Sequence, residues 1–387
     1  MHFERVEVVT SSDGSSLLQF DLACATALNH YTRCTELGKD KQEQGKPSAS
    51  GNEVCSTGLR VYHGAHVLAA FLAKFGKCLL PSEAEHDTSA GCRPWAVELG
   101  CGCGLVGFTT AMLFPHLSVA FTDASKDCLS LVAASAEQLG LALLQVGSDE
   151  FVRPLPCSME GRALLSCELE WGEEGSERLL RVLSHPCSGS HLRRPTRAIR
   201  LVLGSDLMYY RVDIRELLTT CKMLLHPGVG NGDGEAHCEE DTDCLSPRFV
   251  VLAHFMRIPE GDKKLKSCAD KLGFGAVRVP IDTFLEPCVV QSRGWNGTSV
   301  ILLFLRSLSL GGIRRGTLPA DVANRACSTD CEREDLIEAK KLLHGEQFSL
   351  LRECLTCYST AAAEGGVGKP TNKAGDMCDL KILPFAV

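Results

Sequence analysis

Residues 97–107 read Val-Glu-Leu-Gly-Cys-Gly-Cys-Gly-Leu-Val-Gly, "VELGCGCGLVG", with four glycines and two cysteines in its last eight positions. An apolar strand that runs into a glycine-rich turn and then a helix lets the backbone approach a ligand closely. The helix then presents unpaired N–H groups at that place. Gly102–Gly107 fits G-x-G-x-x-G, the dinucleotide fingerprint. The overlapping Gly100–Gly104 fits G-x-G-x-G, a loop more typical of S-adenosylmethionine. The cysteines add a metal or redox site as a third reading. The turn alone does not choose among them.

Around the turn the pattern alternates between strand and helix. Trp95–Leu99 reads as a buried strand, and Leu105–Phe114 as a helix that Pro115 ends. Leu117–Thr122, Leu141–Val146, Ile199–Gly204, Phe249–Phe255 and Ser299–Leu305 read as further strands. Asp127–Leu139 and a stripe from Ile214 to Leu225 read as helices. Alternation at this spacing predicts a mostly parallel, doubly wound α/β sheet. Its ligands belong at the carboxyl ends of the strands. Upstream, Phe3–Thr10 and Ser15–Asp21 flank Ser-Ser-Asp-Gly, which predicts a β-hairpin. In Thr57–Gly76 the apolar residues Val61, Ala65, Leu68, Ala69 and Leu72 fall on one helical face, with Gly76 as its expected stop.

Composition narrows the class. The chain has 387 residues, 44% hydrophobic and 23% charged, with a net charge of −8. A basic, nucleic-acid-binding surface is therefore not expected, and no apolar run is long enough to span a membrane. There are twenty-one cysteines. They are scattered and follow no secretory signal, so they read as reduced thiols of a cytoplasmic or nuclear protein. Residues 36–53 and 81–94 are polar insertions. Gly228–Ser246 carries six carboxylates and no Lys or Arg, the mark of a solvated loop. The organisation expected is a hairpin and insertion over 1–54, a catalytic domain over 55–307 and a tail over 308–387. That tail holds a short helix with a capping-box start at Thr329 and Glu332, and a mobile end.

Three later residues bear on the ligand. Asp123 closes the second strand, where a carboxylate accepts hydrogen bonds from ribose hydroxyls or caps the next helix. Trp171, in Cys-Glu-Leu-Glu-Trp-Gly, follows a strand and can wall an adenine ring or simply pack in the core. Asp206 ends the Ile199 strand, with Tyr209 three residues on. An acid and an aromatic at the cofactor edge suit an amine substrate, although an Asp there also caps helices.

In this order VELGCGCGLVG, FTDASKD, LEWG and GSDLMYY resemble the seven-β-strand protein-lysine methyltransferases of the methyltransferase-16 family, which carry D-x-x-Y after the fourth strand. Thr57–Leu72 resembles that family's N-terminal helix. The resemblance covers roughly residues 55–306. It implies a Rossmann-like, seven-stranded sheet, S-adenosyl-L-methionine as cofactor and a protein substrate with a lysine acceptor; the sequence leaves the oligomeric state open, with a monomer favoured. It further implies that Gly100, Cys101 and Gly102 contact the methionine part, that Gly104 shapes the turn and that Asp123 holds the ribose. Trp171 then flanks adenine, Ser205 lines the site, Tyr62 closes over the cofactor, and Asp206 and Tyr209 face the target lysine. Two positions depart from the pattern: Tyr62 stands where the family has Trp, and the helix after Asp123 lacks the usual Asn.

The sulfonium methyl is already electrophilic, so alignment is the main task. Lysine must attack as the neutral amine, and a carboxylate alone would raise its pKa. Asp206 is therefore expected to position the amine rather than deprotonate it. Three rivals remain at this stage. An RNA or small-molecule methyltransferase fits the same fold, although SDLMYY lacks the prolines of nucleic-acid enzymes. A nicotinamide dehydrogenase fits the glycines. A zinc-stapled interaction protein would use Cys327, Cys331, Cys354 and Cys357.

Overall fold

The computed structural model describes residues 1–10, 17–25, 57–80, 93–147, 163–183, 199–209, 212–225, 248–255, 261–306, 329–343 and 349–357. Residues 36–53 and 81–92 of the polar insertions, the acidic loop, Cys327 and the chain beyond 357 lie outside these residues.

Strands β1 (His2–Val9) and β2 (Leu17–Cys24) form an antiparallel hairpin in register from His2 opposite Cys24 to Val9 opposite Leu17. Helix α1 (His63–Leu79) follows a short 3-10 turn at Thr57–Leu59. Its buried side includes Val67, Leu68, Phe71, Leu72 and Phe75, because it packs on several neighbours at once. Gly76 does not stop this helix. It is buried inside it, where an added Cβ would come within 2.3 Å of the Phe114 ring. The missing side chain there serves close packing, not termination.

The central sheet is built from β3 (Trp95–Leu99), β4 (Ser118–Asp123), β5 (Leu143–Val146), β6 (Leu164–Glu168), β7 (Ile199–Ser205), β8 (Phe249–Phe255), β9 (Phe274–Val279), β10 (Thr298–Leu305) and β11 (Thr356–Cys357). Their spatial order is β11-β9-β10-β8-β7-β3-β4-β6-β5. The pairs from β5 through β8 are parallel, and those involving β10 and β11 are antiparallel. The expected mostly parallel, doubly wound α/β sheet is present. Helices α2 (Leu105–Leu113), α3 (Lys126–Gln138), α4 (Glu173–Leu183), α5 (Ile214–Leu225) and α6 (Gly261–Leu272) connect the strands. Two apolar layers cover the two faces of the sheet. On one of them, Phe71 and Phe75 of α1 meet Phe284 edge-on, with ring centroids 5.7 and 6.1 Å apart. A third, smaller cluster joins Cys24 and Ala23 of the hairpin to Leu59, Cys103 and Cys128.

Strand β9 and helix α6 have no counterpart in the sequence reading. The strand is six residues long and carries Arg278, and the helix buries few apolar positions. Beyond them, α7 (Pro287–Ser292), α8 (Thr329–Leu342) and α9 (Ser349–Cys354) complete the described helices. Helix α8 packs on β9 through a buried charge network. Asp335, 1% exposed, binds Arg306 Nε at 2.6 Å, Lys266 Nζ at 3.2 Å and the Ala276 N–H at 3.3 Å. Lys266 also binds Asp270 at 2.7 Å. Helix α8 of the tail thus rests on the sheet edge, and β11 pairs with β9. No helix among the described residues is long and apolar enough to cross a membrane.

Candidate active site

The glycine turn departs from the end of β3, all five of whose residues are buried. Gly100, Gly102 and Gly104 have φ of 55°, 53° and 81°, the left-handed region that side chains resist. The Cys101 N–H donates to Thr122 O at 2.9 Å and the Gly104 N–H to Cys101 O at 2.7 Å, so the turn is closed by its own backbone. Gly104 then begins α2 as its N-cap. The Cys101 thiol is buried, and burial holds it well above the ordinary pKa, so it is not a nucleophile.

Two carboxylates brace this turn. Asp123, at the end of β4, accepts the Gly102 N–H on one oxygen at 3.0 Å and the Ser125 N–H on the other at 2.8 Å. Burial raises its pKa, and the bonds from Gly102 and Ser125 oppose that rise. Glu98, inside β3 and 1% exposed, accepts the Gly107 N–H of α2 at 2.9 Å. Burial pushes its pKa up to about 8. Sequence reasoning missed Glu98. The available signal was a charged residue in the middle of a five-residue apolar strand.

A short strap crosses the turn. Gly58 lies directly on it: a Cβ on Gly102 would stand 2.7 Å from Gly58 O, and one on Gly58 would stand 2.8 Å from the Gly102 Cα. The Cys103 thiol donates to Gly58 O at 3.4 Å. Six residues later the Gly64 N–H donates to Asp206 Oδ2 at 2.7 Å. Tyr62, half-buried between these anchors, is the N-cap of α1 in an extended conformation and makes no side-chain cap bond.

Asp206 is the one non-glycine residue with positive φ among the described residues, at 53°. Its own N–H donates to Ala253 O at 2.8 Å, and its Oδ1 accepts the Phe255 N–H at 3.0 Å. The carboxylate expected to face the acceptor therefore already bonds two main-chain groups. Ser205 and Tyr209 flank it, both half-buried. Trp171 reaches the turn from β6, its ring 3.6 Å from where a Cβ on Gly100 would stand. The Gly172 N–H is fixed by Thr220 Oγ1 at 2.7 Å.

The structure thus gathers Gly100, Cys101, Gly102, Gly104, Asp123 and Trp171 around one turn. It sets Ser205, Asp206 and Tyr209 at the end of the adjacent strand, with Tyr62 on the strap that links the two groups. Strands β3 and β7 are paired neighbours, so the groups are separated by about one strand spacing, ~4.8 Å. A groove of about 400 Å³, bordered by Arg278, Asp282, Asn296 and Ser299, opens further along the same edge, where β9 ends and β10 begins. His254 lies in the core instead, bound to Asp262 at 2.9 Å. Among the described residues no group of three or more His, Cys, Asp or Glu is placed to hold a metal.

Residues 45–141 match a family described as lysine methyltransferase. That stretch contains the strap, the glycine turn, Asp123 and α3. No curated protein matches the chain. Among solved structures, it is similar to a TehB-like SAM-dependent methyltransferase from Corynebacterium glutamicum, at 9% identity. That alignment covers 73% of this chain and 100% of the other, with a TM-score of 0.31. A precorrin-6y C5,15-methyltransferase from Geobacter metallireducens is 9% identical over 69% of this chain and 96% of its own, with a TM-score of 0.30. A precorrin 8w decarboxylase from Methanobacterium thermoautotrophicum is 16% identical over 56% and 83%, with a TM-score of 0.28. The matched segment, together with the turn and sheet that carry it, makes the chain a class I S-adenosylmethionine-dependent methyltransferase.

Proposed function

We propose that this methyltransferase acts on the ε-amine of a lysine in a protein substrate. The observation that carries the reading is the family match over residues 45–141, whose description is lysine methyltransferase and which spans the strap, the turn and Asp123. The residues present fit the methyl donor. The turn offers main-chain groups with no side chain between them and the ligand. Asp123 offers a carboxylate at the ribose position, and Trp171 lies against Gly100 as a wall for the adenine. Bound there, S-adenosylmethionine supplies an electrophilic methyl group.

The chain's own residues align the acceptor and keep water out. Ser205 and Tyr209 line the approach at the end of β7, and Asp206 offers its remaining lone pairs to the incoming amine. Lysine enters as the neutral amine, favoured by leaving water in a partly buried channel. The groove bordered by Arg278 and Asp282 opens two to three strand spacings from Asp206, about 10–14 Å. An extended peptide covers that distance in three or four residues, so the groove suits a polypeptide better than a small acceptor.

The test is labelled methyl transfer into cell extract, wild type against Tyr209→Ala and Asp206→Ala, with mass spectrometry of labelled material. Label on lysine in a protein band, lost in the variants, is the expected result. Label confined to nucleic acid or to the small-molecule fraction overturns the lysine assignment.

A further inference from the structure

We infer that Asp206 is a positioning residue that clamps the N-terminus of α1, and that the strap 58–64 held by this clamp closes the cofactor crevice. The strap is seated at both ends on glycine. At one end Gly58 rests on Gly102 with main chain against main chain, and Cys103 donates to its carbonyl. At the other, Gly64 brings its N–H to within 2.7 Å of Asp206 Oδ2, and a Cβ there would stand 2.6 Å from that oxygen and 2.9 Å from Ala253 O. The first seat follows β3 and the second follows β7, so the strap spans the place where the chain's strand order reverses. Ligands of doubly wound sheets lie in that crevice.

Asp206 is built for the clamp. The first-turn N–H groups of a helix have no partner within the helix, and a carboxylate there also meets the positive end of the helix dipole. Tyr62, the local N-cap of α1, gives no side-chain cap, and Asp206 supplies the bond from 142 residues away. Its second oxygen ties the same clamp to the Phe255 N–H of β8. A left-handed backbone is unfavourable for a residue with a side chain and persists only where its surroundings impose it. Here the bond from its own N–H to Ala253 O and both carboxylate bonds impose it. Three main-chain bonds to one side chain and its backbone leave the carboxylate little freedom to follow a substrate.

The inference rests on the cofactor lying against the glycine turn and is independent of which acceptor is methylated. It is tested by titrating S-adenosylhomocysteine into the full chain and into Asp206→Ala, Asp206→Gly and Gly64→Ala, at a temperature where melting curves show each folded. Asp206→Gly keeps the left-handed backbone free of strain and removes only the carboxylate. Binding at least tenfold weaker in Asp206→Gly and Gly64→Ala, with the double variant no weaker than either alone, is the expected result. A variant that merely lowers stability would shift its melting curve and leave the affinity of the folded protein unchanged. Wild-type affinity in Asp206→Gly overturns the clamp. If methyl transfer is then lost, the carboxylate works on the acceptor alone. Because the titration needs no acceptor, a clamp that holds and a lysine assignment that fails are separate results.

Discussion

The middle of the central sheet and its β9–β10 end treat carboxylates in opposite ways. Around the glycine turn, Glu98, Asp123 and Asp206 accept hydrogen bonds from main-chain N–H groups, and no ion pair joins them among the described residues. At the β9–β10 end, Asp262 binds His254 and Arg278, and Asp270 and Asp335 bind Lys266 and Arg306. Main-chain donors fix position and carry no net charge. They leave burial the upper hand, and Glu98 rises to about 8 while Asp123 also rises. At the β9–β10 end burial opposes the charges of Lys266 and Arg306, but the aspartates outweigh it and raise both pKa values. The middle is arranged for placement beside a ligand, and the β9–β10 end for holding elements together.

This contrast can be broken on either side, and the largest effect is expected in the charge network. Asp335→Ala takes a buried carboxylate from Arg306 and from the 2%-exposed Lys266, both of which also bind Asp270. Removing one partner from a buried pair costs about 3–5 kcal/mol. Urea unfolding should show that loss, with cofactor affinity of the folded protein unchanged. Next comes Gly102→Ala in the glycine turn. It forces a side chain to φ +53° and sets a Cβ 2.7 Å from Gly58 O. Strain of about 1–3 kcal/mol predicts S-adenosylmethionine binding weakened tenfold or more, read by calorimetry.

A smaller effect is read through pH. Folded Glu98 keeps its proton up to about pH 8, whereas the unfolded chain releases it near 4.5, so its contribution to stability falls as pH rises between those values. His66 is stacked on Trp295, and burial, then Arg293 and His63, lower its pKa to about 4 from 6.5. Its contribution rises with pH over that window. The two oppose each other up to pH 6.5, and above it Glu98 alone of the pair acts. Between pH 6.5 and 8 the wild type should lose about 1–2 kcal/mol. Glu98→Gln, which keeps an acceptor for Gly107, should flatten that decline. The smallest change is expected in the hairpin: Arg5 pairs with Asp21 at 2.8 Å on an exposed face, and Arg5→Ala should leave the melting temperature unaltered.

What the sequence disclosed follows the range of its signals. The turn after β3, the acid that ends β4, the hairpin and the apolar run of β7 are each local in sequence, so periodicity and turn chemistry reveal them. Gly58 and Gly64 read as ordinary glycines in Thr-Gly-Leu-Arg-Val-Tyr-His-Gly. Their purpose lies in contacts with Gly102 and Asp206, far along the chain. Asp206 stood out as an acid at a strand end, but its left-handed backbone and main-chain partners depend on β8, which no local pattern supplies. Asp335 lies in a polar helix that reads as part of a tail. Its burial becomes visible only when β9 is in place, and β9 itself is short and interrupted by Arg278.

The network around Asp335 also sets a schedule for synthesis. Lys266 and Asp335 are 69 residues apart in the chain. A ribosome adding roughly 5–20 residues per second delivers the aspartate about 3–14 s after the lysine. From the time β9 and β10 have been made until Asp335 arrives, the β9 edge has neither its covering helix nor β11. The nascent sheet stays open on that side until the last of these elements emerges, which is a window in which a chaperone has an edge to hold.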